Sequence, residues 1–120
     1  MQINILNIDG IEIAEVISEG ILFNTPQDAL NVLANCSYQG AQGIIIKEIN
    51  LTPEFFDLKT RLAGEILQKF STYNSRLAIV GDFSKYQSKS LRDFIYESNK
   101  MKRINFVGSV EEAKNILSKK

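Results

Sequence analysis

Apolar and polar residues alternate over the first seventeen positions and then regroup at helical spacing. Residues 3–9 (INILNID) and 11–17 (IEIAEVI) carry isoleucine at alternate positions around Asp9-Gly10. This pattern predicts a β-hairpin, because glycine accepts the positive φ of a tight turn at little cost. A short extended piece follows over 20–23. Thr25-Pro26-Gln27-Asp28 then reads as a helix start, with Thr as N-cap, Pro at the first helical position and an acid in the first turn. Ala29, Leu30, Leu33 and Cys36 form its inward face, and Gly40 or Gly43 ends it.

The second half repeats a strand–helix alternation. GIIIKEI (43–49) and RLAIV (76–80) are apolar, β-branched runs of the kind that fill buried strands, and RINFVG (103–108) is a third. Thr52-Pro53 repeats the Thr-Pro helix-start signal before LTPEFFDLKT (51–60) gives way to a main helix over 62–70. Leu62, Ala63, Ile66, Leu67 and Phe70 form its apolar stripe, with Thr60 and Gly64 four residues apart at the stripe's border. Residues 88–100 form an amphipathic helix with Leu91, Phe94, Ile95 and Ser98 inward. Ser109 to Glu112 is a capping box opening a last helix with Ala113, Ile116 and Leu117 inward. The order β-β-α-β-α-β-α-β-α predicts one α/β domain over 1–120. Its sheet is mixed and four- to five-stranded, with an amino-terminal hairpin, parallel later strands and about four helices.

Composition narrows the chemistry. Lys+Arg and Asp+Glu both number 14, which gives no pull toward nucleic acid or an anionic membrane. No apolar run approaches a bilayer span of about 18 residues. The start, MQINILNIDG, lacks the basic and apolar regions of a signal peptide. With the lone Cys36, these features lead us to expect a soluble, cytoplasmic protein. The chain has no histidine, which removes the commonest general base and transition-metal ligand. Neither GxxxxGK[ST] nor GxGxxG occurs. We therefore expect no cofactor, no metal and no catalytic residue.

Two segments carry the remaining chemistry. After the 76–80 strand come Asp82, Ser84, Lys85, Tyr86, Lys89 and Arg92, at the end of a strand where open α/β sheets meet ligands. As a polar crossover, this loop would have Asp82 closing a turn, Ser88 or Ser90 capping the next helix, and Asp82 and Asp93 pairing with the cations. As a binding surface, it would offer three cations to an anionic small molecule or an acidic protein, with Tyr86 as a rigid contact. Asp57 and Thr60 at the start of the 62–70 helix either cap it or place a phosphate on Thr60 in the field of the helix amino terminus. Glu65 and Lys69 are spaced for an i,i+4 ion pair on the exposed face of that helix.

Residues 55–99 (FFDLKTRLAGEILQKFSTYNSRLAIVGDFSKYQSKSLRDFIYESN) closely resemble the bacterial family called domain of unknown function 4180. The hairpin, ANCSYQG (34–40) and FVGSVEEA (106–113) extend that likeness over nearly the whole chain. The family name implies no activity. In that family glycine commonly follows the Thr of DLKT, where this chain has Arg61. The element order is also similar to that of STAS domains, the anti-sigma-factor-antagonist fold. There an Asp and a phosphorylatable Ser or Thr open the helix after a central strand, a role that this resemblance would give to Thr60. The two residues between Asp57 and Thr60 depart from the STAS pattern. The leading expectation is a regulatory or protein-binding module, controlled by phosphate on Thr60 and with homo-oligomerisation open. The alternative is a small enzyme or anion sensor using Asp57, Asp82, Lys85 and Tyr86.

Overall fold

A computed structural model describes residues 1–119. The Asp9-Gly10 turn has φ of 52° and 85°, and it joins β1 (Gln2–Ile8) to β2 (Ile11–Ile17) in an unbroken antiparallel register. The chain continues through α1 (Pro26–Tyr38), β3 (Gly43–Lys47), α2 (Leu62–Thr72), β4 (Arg76–Val80), α3 (Lys89–Met101), β5 (Ile104–Val107) and α4 (Val110–Leu117). The five strands lie in sequence order, and β2 to β5 are parallel. The mixed α/β architecture matches the one expected from the sequence.

Strand alternation divides the core in two. Ala14, Val16, Ile44, Ile46, Leu77 and Ile79 face α1, α2 and α3, where Leu33, Cys36, Ile66 and Phe70 are buried. Ile13, Ile45, Ala78 and Val107 point the other way, onto Ala113 and Leu117 of α4. Cys36 is a buried apolar filler, and burial pushes its thiol up to about 11. Arg76 fastens the far end of the sheet. Its guanidinium donates to carbonyls of Lys102, Ile116 and Lys119 at 3.0, 3.0 and 3.1 Å, closing the carboxyl ends of α3 and α4. Burial and the neighbouring Arg103 hold its pKa below the usual arginine value.

Local capping follows the sequence signals. Thr25 and Asp28 form a capping box on α1, Ser88 accepts from Leu91 N–H at the start of α3, and Ser109 accepts from Glu112 N–H at the start of α4. The extended 20–23 piece makes a single parallel bridge, from Phe23 to Leu51. Two expectations need correction. The second Thr-Pro signal opens a 3₁₀ turn, Pro53–Phe56, with no side-chain cap from Thr52, and a second turn, Leu58–Thr60, follows. Finally, no ion pair joins Glu65 to Lys69, and both instead border a groove beside α2.

Candidate functional site

β3 and β4 run parallel with Lys47 opposite Val80, so the residues that follow each strand emerge side by side. Glu48 leaves β3 and Gly81 leaves β4. A Cβ at Gly81 would lie 2.7 Å from both the Cβ and Oε1 of Glu48, so only glycine leaves room for that side chain. Glu48 is the hub of the site. Its Oε2 accepts from the Tyr86 hydroxyl at 2.6 Å and pairs with Lys85 Nζ at 2.7 Å. The carboxylate is largely covered, whereas Lys85 is 57% exposed.

Aromatic packing fixes the rest. The Tyr86 ring stacks on Phe56 with centroids 4.7 Å apart and planes 13° apart. Phe83 meets Phe106 edge-on at 5.2 Å, and Lys85 Nζ sits 5.4 Å above the Tyr86 ring. The 53–60 turns and the 82–88 loop are therefore joined through Phe56 and Tyr86. Partial burial, reinforced by the Glu48 carboxylate, holds the Tyr86 phenol above its ordinary pKa. It is a neutral hydrogen-bond donor at physiological pH rather than a base.

The other residues singled out from the sequence have mostly local partners. Asp57 Oδ1 accepts from Lys59 N–H at 3.1 Å and so caps the short Leu58–Thr60 turn, not α2, whose N-cap residue is Arg61. Thr60 lies in the turn before α2, so its spacing to Gly64 is not one helical turn. Its hydroxyl donates to the carbonyls of Glu54 and Asp57, both at 2.8 Å. Gly64 is exposed, with no atom near the position of a Cβ, and borders a groove of about 570 Å³ with Leu58, Arg61 and Phe94. Asp82 accepts from both the hydroxyl and the N–H of Ser84, at 2.6 and 3.1 Å. Those two bonds hold its pKa below the usual carboxylate value. Lys89 pairs with Asp93 at 3.0 Å, and Arg92 is exposed without an ion pair among the described residues. The sequence expectation pairs Asp82 with the cations; Lys85 binds Glu48 instead, because Asp82 is turned back onto Ser84.

A family model described as Domain of unknown function (DUF4180) matches residues 8–117. The chain belongs to this family. The match takes in the hairpin turn, all four helices and every residue of the Glu48 cluster. No curated protein matches the sequence. Within this DUF4180 domain, sequence reasoning missed Glu48, Phe56 and Gly81. The usable signal was a glycine immediately after a buried strand, which marks a close approach.

Arg61 shows why glycine suits its position. Its φ is +65°, left-handed backbone that no Cβ-bearing residue adopts freely. Arg61→Gly is therefore expected to stabilise the domain by about 0.5–1 kcal/mol, the strain relieved less the added freedom of the unfolded chain. Thermal unfolding of the two proteins checks this. A lower Tm for the variant would mean that the arginine side chain contributes more than the strain costs.

Proposed function

We propose that the domain is a non-enzymatic binding module whose Tyr86 edge docks a protein with an acidic surface. The supporting observation is the pairing within the Glu48 cluster. Phenol and ammonium both bind the Glu48 carboxylate, at 2.6 and 2.7 Å, and act as struts for a surface. An enzyme built on Tyr86 or Lys85 would need one of them unpaired. Lys59 and Arg61 are exposed on the turn that follows Phe56, whose ring stacks on Tyr86, and Arg92 is exposed at the start of α3. Exposed cations on a rigid frame suit acidic partners, for which they raise encounter rate and fix orientation.

Thr60 supplies a point of control. A phosphate there would remove the donor that holds the Glu54 and Asp57 carbonyls and add negative charge among the cations. The turn carrying Phe56 would loosen, and Tyr86 would lose its stacking partner. The STAS-like element order adds support to this reading of Thr60.

Capture from a lysate of the source cells tests both parts. Wild type is expected to retain a defined acidic protein that Lys59→Glu/Arg92→Glu releases about tenfold more readily, with unchanged circular dichroism. Thr60→Glu is expected to weaken the same capture. Equal retention by all three proteins would sink the reading.

A further inference from the structure

The two edges of the sheet are protected very differently. β5 is a four-residue strand entered from Lys102 and Arg103, which is how native edges are blunted. β1 is seven residues long and has no charge, no proline and no bulge in its register with β2. Among the described residues, no hydrogen bond beyond the β2 ladder engages its backbone. Half of its N–H and C=O groups therefore point outward as a strand template. Ile3 and Ile5 are only partly buried against the main core, and Leu6 is half-exposed on the opposite face.

We propose that β1 pairs antiparallel with β1 of a second copy, making a two-fold dimer with a continuous ten-stranded sheet. The occupant follows from the strand's own sequence. An antiparallel self-pair about an axis through the sheet keeps each face on its own side, so its residues must match themselves. Centring the axis on Asn4 sets Ile3 against Ile5 of the second copy, and Ile5 against its Ile3. Each pair extends a row already begun by the hairpin, because Ile3 lies opposite Val16 and Ile5 opposite Ala14. The result is two fully apolar rows, Val16–Ile3–Ile5–Ala14, crossing the interface on the helix-covered face. On the other face the two Asn4 amides meet at the axis, flanked by Glu15 from each copy. Centring on Ile5 instead would set Ile3 against Asn7 and break both apolar rows, and centring on Ile3 would pair only residues 1–5. The Asn4 register is therefore the longest that keeps the rows whole, with Leu6 set against Gln2 on the other face. This interface lies at the opposite end of the strand order from β5 and does not depend on the Tyr86 edge.

Light scattering after size exclusion is expected to give twice the chain mass at micromolar concentration. Asn4→Asp places two carboxylates on the axis beside the Glu15 pair and is expected to raise the dissociation constant at least about tenfold. Asn4→Cys reads the register. Directly opposed Cα atoms lie about 4.5–5.5 Å apart, within the disulfide range, so mild oxidation should give a reducible covalent dimer. Ile5→Cys should not, because Ile5 then faces Ile3 of the second copy, and Cys36 is buried and takes no part. A monomeric wild type would overturn the proposal. So would a dimer that Asn4→Asp leaves intact and Asn4→Cys fails to cross-link.

Discussion

Asn50→Leu is expected to cost about 3 kcal/mol, seen as a lower urea midpoint with an unchanged m-value. Asn50 is fully buried in the 3₁₀ turn that follows β3. Its Oδ1 accepts from Lys47 N–H at 2.9 Å, and its Nδ2 donates to the carbonyls of Ser18 and Gly20 at 3.0 and 2.9 Å. One amide thus fastens the loop after β2 to the end of β3, and the Asn50 carbonyl adds bonds from Leu22 and Phe23 N–H. Leucine keeps much of the volume and loses all three side-chain bonds. Each is worth about 1 kcal/mol, and a buried partner left without a bond costs more.

Asn50→Asp separates donors from volume. A carboxylate keeps the Lys47 bond but faces two carbonyls with no hydrogen to give. The folded state would favour the protonated acid, raising its pKa above the unfolded value. The deficit relative to wild type should then be small below about pH 4 and grow as pH rises through the folded pKa. A deficit independent of pH would mean that the loop turns away from residue 50.

Features set by neighbouring residues were legible in the sequence. Asp9-Gly10 carries its own turn geometry, and Thr25, Ser88 and Ser109 reach donors three residues ahead. The working edge depends on distant partners. Glu48 and Tyr86 are 38 residues apart, and Asn50 binds carbonyls 30 and 32 residues back. A polar residue just past a strand reads as a solvated strand end until its neighbour across the sheet is known. The second Thr-Pro signal misled for a related reason. Phe55 is buried among core residues while adjacent Phe56 turns to stack on Tyr86, and left-handed Arg61 stops any helix from running through. The 81–93 segment was identifiable as a polar strand end, but its orientation was not, because Glu48 rather than Asp82 holds Lys85.

Gly81→Ala should dismantle this arrangement while leaving the two hydrophobic cores intact. The added methyl would sit 2.7 Å from Glu48 Cβ, and Cβ cannot swing aside as a side-chain tip can. Either the end of β4 or the start of the turn after β3 must move, at a cost of about 1–3 kcal/mol, typical of overpacking. Glu48 would withdraw from Lys85 and Tyr86 together. The phenol reports the loss, since the folded protein holds it above the ordinary tyrosine value by burial and by the Glu48 carboxylate. Spectrophotometric titration of the wild type should show a tyrosine step well above the ordinary value, assigned to Tyr86 by its loss in Tyr86→Phe. In Gly81→Ala that step should fall toward the ordinary value of about 10. Stability follows with a definite sign. The unfolded phenol ionises near pH 10 while the folded one stays neutral, so wild-type stability declines as pH rises from there through the folded pKa. The variant should lose much of that alkaline sensitivity. Glu48→Gln removes the charge without the crowding and should lower the same step without the packing cost. If both variants keep the high-pH titration, burial alone governs the phenol and Glu48 is not the hub of the edge.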